Sequence, residues 1–236
     1  MQQNASRDSW TFEQTEARLA IIMRDIHDGV GAQLVGLLSL ISKGRTEQTV
    51  LQEHARAALD EVHQIDLDQV DGAGLLALGL SPGRFDVLLA LDVLEHLYDP
   101  WEVLCRHVEL VRPGGHVVIS LPNIQNITTL LGLSEGQWSY QAEGILDATH
   151  LRFFTLPTAE LLVSGAGLKM VHLASVFNPP LDQSRLKDQD NQISHGRLTL
   201  SKLAREEVFT FFAYQYLLVA QRPLSDNRGA AAALAT

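Results

Sequence analysis

The sequence predicts an α/β fold in which a mostly parallel sheet follows an α-helical hairpin. Three observations point to it. Before Val62, apolar residues recur at steps of three and four. After it come compact apolar runs of strand length, the clearest being Phe85-Asp86-Val87-Leu88-Leu89-Ala90-Leu91. Those runs alternate with segments that carry helix-start and helix-stop signals, the pattern of an open α/β sheet.

Thr11 and Gln14 have the spacing of a capping box, which satisfies the orphan N–H groups at a helix start. Leu19, Met23, Ile26, Val30, Leu34, Leu37 and Ile41 then form one stripe along a helix face. Ser42 to Thr46 reads as a turn, and Leu51, Ala55, Ala58 and Val62 stripe a second helix. Such a hairpin leaves its seam wet when alone, so a homodimer through residues 11–62 is expected to close a four-helix bundle.

Beyond Val62 the pattern changes. Phe85 to Leu91 reads as a central strand buried on both faces. Asp99, Pro100 and Glu102 mark a helix start, and that helix is expected to end at Arg112-Pro113-Gly114-Gly115. His116 to Leu121 is a second strand, closed by Pro122. Leu156 to Ala166 is a helix with Gly167 placed to stop it, and Leu168 to Ala174 is a strand. Gly72-Ala73-Gly74 and the polar stretch Asn178 to Gly196 read as loops. Val208 to Ala220 reads as a last strand, and the tail from 223 to 236 as frayed.

The net charge of -10 disfavours contact with a nucleic-acid backbone or an anionic membrane surface, both of which need basic patches. Cys105 is the single cysteine, so neither an intramolecular disulfide nor a cysteine-based zinc site can form. The nine histidines contain no His-Glu-x-x-His pair, and no metal is expected. No leader segment is read, and no apolar run approaches the ~20 residues of a membrane span. A cytoplasmic location is the expectation.

Three blocks carry a family resemblance. Phe85 to Leu91 runs into Asp92-Val93-Leu94-Glu95-His96-Leu97; Arg112-Pro113-Gly114-Gly115 leads through His116 to Leu121-Pro122-Asn123; His150-Leu151-Arg152-Phe153-Phe154-Thr155 follows. In this order and at these gaps, they resemble the rear portion of class I S-adenosylmethionine-dependent methyltransferases. The resemblance covers about Val62 to Arg222 and implies an incomplete Rossmann-like sheet over residues 63–222. It also implies S-adenosylmethionine as cofactor and methyl transfer to a small molecule or biosynthetic intermediate. Open α/β sheets bind ligands beyond the carboxyl ends of their strands. The resemblance therefore implies catalytic roles for Glu95 and His96, cofactor contacts from Asp66 and Asp92, and acceptor contacts from Asn123, His150 and Arg152. Each also has a plain reading: a cap or solvated acid at Glu95, a structural histidine at His96, a turn residue at Asn123, a loop tie at His150 and Arg152, and a surface aspartate at Asp66.

The glycine-rich turn that lets the family's backbone approach the cofactor has no clear counterpart. Gly72-Ala73-Gly74 lies too close to Phe85, and Gly29-Val30-Gly31 falls inside a helical stripe. The resemblance thus implies a sheet without its first two strands and with an exposed central edge.

Arg24-Asp25-Ile26-His27-Asp28-Gly29-Val30-Gly31-Ala32-Gln33-Leu34 resembles the phosphoacceptor box of sensor histidine kinases. The resemblance covers about Thr15 to Val62, inside an expected domain of residues 1–62. It implies His27 as phosphoacceptor, Asp28 orienting the imidazole and Arg24 neutralising phosphate, with a histidine kinase or response regulator as partner. Two glycines inside one helix cost roughly 1 kcal/mol each, which pure helix stability would not select. Three functional readings stay open here: a methyltransferase, a phosphoacceptor module without its ATP-binding domain, and a non-functional joining of two gene fragments.

Overall fold

The computed structural model describes residues 34–37, 61, 63–178 and 192–224. Nearly all the apolar runs that read as strands converge on one five-stranded sheet. Its strands are β1 (Leu34–Leu37), β2 (Phe85–Leu91), β3 (Val111–Pro122), β4 (Lys169–Val176) and β7 (Gln215–Gln221). The order is β1-β2-β3-β7-β4. β1, β2 and β3 pair in parallel, and β7 runs antiparallel between β3 and β4. A separate hairpin joins β5 (Ile193–His195) to β6 (Leu198–Leu200). The helices are α1 (Gly72–Ala77), α2 (Pro100–Val108), α3 (Ile127–Ser134), α4 (Leu156–Gly165) and α5 (Arg205–Phe212).

Successive side chains on a strand point to opposite faces, and both faces of this sheet are apolar. Leu88 and Ala90 on β2, Val117, Ile119 and Leu121 on β3, and Leu218 and Ala220 on β7 pack with Val103, Leu104 and Val108 of α2 and Ala159, Leu162 and Val163 of α4. Val87, Val118, Leu217 and Val219 form a second cluster on the intervening positions. Burial on both sides is why the strands read as continuous apolar runs rather than as alternation.

The helix signals at Asp99 hold. The Asp99 carboxylate accepts from the Glu102 N–H at 2.9 Å, and Pro100 fills the first turn where no N–H is needed. Gly167, at φ +73, follows the end of α4 as expected. Asp68 fastens the segment before α1 to this region, its carboxylate accepting from the Tyr98 N–H at 3.1 Å and the Asp99 N–H at 3.3 Å.

Several expectations are corrected. Leu34 and Leu37 lie on a strand rather than a helical stripe, and that strand covers the β2 edge expected to be open. Gly72-Ala73-Gly74 opens a short helix, because Asp71 caps it by accepting from the Gly74 N–H at 2.7 Å. α2 stops at Val108; Arg112 to Gly115 are an excursion within β3, where the register jumps from Phe85↔Val111 to Val87↔His116. Residues 193–195, expected as loop, form a strand that pairs with residues 198–200 in a hairpin. The segment from Val208 divides into α5 and β7, because Val208 and its aromatic neighbours Phe211 and Phe212 pack against Ile127 and Ile193. That packing overrides the β-preference of aromatic and branched residues. Arg24, His27 and Asp28, and the rest of the expected hairpin apart from residues 34–37 and 61, lie outside the described residues.

The β3 excursion has a sharp requirement at Gly115. A Cβ there would lie 2.6 Å from the Asp86 carbonyl oxygen and 2.6 Å from Val111 Cγ1. Backbone on a neighbouring strand cannot yield cheaply. Gly115→Ala is expected to cost about 2–3 kcal/mol, the upper range for overpacking, read as a lower midpoint in urea melts. Among the described residues, no helix is long and apolar enough to cross a membrane.

Candidate active site

β2 and β3 end at the same edge of the sheet, where β7 begins and β4 ends. The chain leaves β2 through Asp92, a non-glycine residue at φ +53. Such backbone persists only where its surroundings over-determine it. Here the Asp92 N–H donates to Ser120 Oγ at 2.8 Å, the Ser120 hydroxyl donates to Asp92 Oδ1 at 2.9 Å, and Gln215 Nε2 donates to the same oxygen. Side chains from β3 and β7 thus clamp the carboxylate that follows β2.

The turn directs the next residues inward. A 3₁₀ turn spans Leu94–His96, with Leu94 fully buried in the main core. Glu95 is 1% exposed, and neither carboxylate oxygen has a hydrogen-bond partner. Burial pushes its carboxyl up to about 8, helped by the negative charges of Asp92 and Asp147. Its carbonyl accepts from the N–H groups of Leu151 at 2.8 Å and Arg152 at 2.9 Å, stitching the turn to the segment before α4.

That segment brings in the second imidazole. His96 Nδ1 lies 3.2 Å from the Thr149 carbonyl oxygen and 3.1 Å from Thr149 Oγ1. Thr149 is itself held by Asp147, whose Oδ1 accepts from its N–H at 2.7 Å and its hydroxyl at 2.6 Å. His150 is buried, with Nδ1 3.1 Å from the Ile145 carbonyl oxygen. The rings of His96 and His150 meet edge to face, 4.6 Å between centroids. Burial lowers the His96 pKa, so its imidazole is neutral at neutral pH. One ligand atom each from Glu95, His96 and His150 lies within 4.8 Å of the others, a spacing that could hold a metal ion. Beyond His150, Phe153 and the partly exposed Trp138 and Tyr140 continue as a chain of ring contacts.

The sequence-predicted residues separate into two groups. Glu95, His96 and His150 come together, with Asp92 at the strand end beside them. Asn123 is fully buried and tied into the fold: its amide donates to the carbonyls of Thr210 and Ala213, both at 2.8 Å, and its Oδ1 accepts from the Gln125 N–H at 3.0 Å. It holds β3 against the α5–β7 junction. Asn123→Ala removes the acceptor of the Gln125 N–H and two of the donors at this junction, while Asn126 Nδ2 still reaches the Ala213 carbonyl at 2.9 Å, and is expected to cost about 1–3 kcal/mol, again read by urea melts. The Arg152 guanidinium donates to the carbonyls of Leu151 and Tyr98. Asp66 is exposed in a turn, accepting from the Asp68 N–H at 3.0 Å.

Sequence reasoning missed Ser120, Gln215, Asp147 and Thr149. The Asp147-x-Thr149 spacing of an Asx turn was a usable signal for the last two. The partners of Asp92, by contrast, are distant in sequence. Tyr214, also missed, packs so closely at this edge that a Cβ on Gly144 would lie 2.9 Å from its hydroxyl.

The sheet places its acid–imidazole cluster just beyond the carboxyl ends of its parallel strands, the edge where open α/β sheets as a class bind ligands. The methyltransferase domain family matches residues 9–173, and the chain belongs to it. The match begins well before Val62 and runs through the region that resembles the phosphoacceptor box. The chain is 30% identical over 117 residues to a ubiquinone biosynthesis O-methyltransferase from Cupriavidus pinatubonensis, which covers 49% of this chain and 46% of that protein. It is 26% identical over 140 residues to the Burkholderia pseudomallei protein of the same name, covering 58% of this chain and 59% of the other. The chain thus spans about half the length of the curated relatives it matches. Among solved structures, a SAM-dependent methyltransferase from Archaeoglobus fulgidus superposes with a TM-score of 0.49 at 16% identity, covering 89% of this chain and 93% of that one.

Proposed function

We propose that the chain is an S-adenosylmethionine-dependent methyltransferase that acts on a hydroxyl of a small molecule. The observation that carries the reading is the buried, unpartnered Glu95 carboxyl beside His96 and His150, at the carboxyl ends of β2 and β3 in a methyltransferase-family chain. The names of the relatives, O-methyltransferases, support oxygen as the nucleophile.

The residues present suit the cofactor. Asp92 Oδ1 receives both internal donors, which leaves Oδ2 to accept from a ligand. The carboxylates of Asp92 and Asp147 make this edge acidic, which favours a ligand arriving as a cation. When bound, S-adenosylmethionine supplies an electrophilic methyl carbon on a sulfonium. The chain's own task is to align the acceptor oxygen and remove its proton. Glu95 and His96 activate the hydroxyl, His150 lines the same spot, and the rings of Phe153, Trp138 and Tyr140 exclude water around a flat acceptor. Asp66, exposed and remote from the cluster in sequence, remains a candidate contact for the cofactor's adenosine.

The test is transfer of labelled methyl from the cofactor to a panel of small phenols and alcohols. The reading expects His96→Ala to lower kcat/KM about 100-fold or more with the fold intact by circular dichroism. A wild-type chain that labels no hydroxyl compound, or a His96→Ala chain as active as wild type, would sink it.

A further inference from the structure

We propose that Glu95, His96 and His150 form a binding site for a first-row divalent transition-metal ion of the zinc type. Binding of the ion stands on the geometry alone; its use rests on the methyl-transfer reading, with Glu95 and His96 then activating the acceptor hydroxyl by holding the positive charge beside it while the proton leaves to water, instead of taking that proton themselves.

Three observations carry the site. The ligand atoms lie within 4.8 Å of one another. Three ligands each about 2.0–2.1 Å from one ion lie up to ~4 Å apart, so small side-chain movements complete the set. Both imidazoles are fixed through the far nitrogen: Nδ1 of His96 against the Thr149 carbonyl and Nδ1 of His150 against the Ile145 carbonyl. Those bonds place the proton on Nδ1 and leave the Nε2 lone pair free, the outer-shell arrangement that metal-ligating histidines use. Glu95 is 1% exposed with both oxygens unpartnered. Buried polar groups are almost always satisfied, and nothing in the surrounding packing satisfies this one; a cation would.

The chemistry of the set chooses the ion. Two imidazole nitrogens and one carboxylate suit zinc and its first-row neighbours, whereas magnesium and calcium prefer all-oxygen shells. Asp92 and Asp147 act electrostatically on both Glu95 and His96, so they deepen the negative potential without joining the shell. Glu95 and His150 are buried while His96 is only half-buried, which leaves one side open for a further ligand.

The test is a titration of the full, chelator-treated chain with Co2+, followed by its visible absorption and by displacement with Zn2+. The expected result is one saturable site per chain, with His96→Asn and His150→Gln each weakening cobalt binding at least ~10-fold while circular dichroism is unchanged. X-ray absorption of the zinc-loaded wild type should give a first shell containing two imidazole nitrogens, a readout that needs no variant. Absence of a saturable site, an all-oxygen or sulfur-containing shell, or binding that survives both histidine substitutions overturns the assignment. Neither methyl donor nor acceptor is present in these measurements. A failed titration therefore leaves the methyl-transfer reading standing, and a chain that binds cobalt but not cofactor keeps the metal site while losing that reading.

Discussion

Arg222→Met should lower the stability of the chain by about 3–5 kcal/mol, the usual cost of breaking a buried charged network on one side. Arg222 follows the last residue of β7 and is only 7% exposed. Its Nη1 donates to three carbonyls, those of Val108 at 3.2 Å, Glu109 at 3.0 Å and Val111 at 2.6 Å, while Nη2 meets Glu109 Oε2 at 2.8 Å. One guanidinium therefore satisfies the carbonyl end of α2 and the start of β3 together. A cation at a helix C-terminus also complements the helix dipole. Methionine fills a similar volume but removes the guanidinium donor from the Val108 and Val111 carbonyls and from the Glu109 carboxylate, while the Glu109 carbonyl keeps the Gly83 N–H at 2.8 Å. Arg222→Lys should recover only part of the loss, because a single ammonium cannot reproduce the planar fork. Urea melts of the three proteins measure this; equal midpoints would remove Arg222 from the account of the fold.

Glu95→Gln should change the pH dependence of stability more than any other single substitution at the site. The buried carboxyl is raised from 4.5 to about 8. Ionising it in place thus costs on the order of 5 kcal/mol, an upper bound because the surroundings relax. A group whose folded-state value lies above its unfolded value holds its proton more tightly in the folded chain. Its contribution is complete below pH about 4.5 and is lost as the pH climbs through 8. His107 and His116, both lowered chiefly by burial, act in the opposite sense and weaken the fold as pH falls through their range. The difference between wild type and Glu95→Gln isolates the glutamate. In chelator-treated protein, the wild type should lose several kcal/mol relative to the variant between pH 5 and 9 (about three, at least). Parallel stability curves would show that Glu95 is not held neutral.

Local signals made much of this fold readable. Phe85–Leu91 was legible because a strand buried on both faces needs an unbroken apolar run, and α2 because Asp99-Pro100 leaves little else for the chain to do. α5 was not, since Val208, Phe211 and Phe212 have strand-forming side chains whose helical state is set by distant Ile127 and Ile193. Leu34 and Leu37 fit a helical stripe equally well; only pairing with Val87 and Ala90 makes them a strand. In the site, Glu95 and His96 were visible from their place just after a strand. Their junction with His150 was not, because it depends on the Asp147–Thr149 turn and on the Glu95 carbonyl that grips Leu151 and Arg152. Asn123 stands beside the strand end as expected, yet its amide is spent on the α5–β7 junction.

Calorimetric titration of the full chain with S-adenosylmethionine bears most directly on the central claim, that this edge of the sheet receives a methyl donor. The account predicts saturable heat at a stoichiometry of one per chain, weakened by Asp92→Ala. No heat at about millimolar cofactor, the upper end of ordinary substrate affinities, would contradict it.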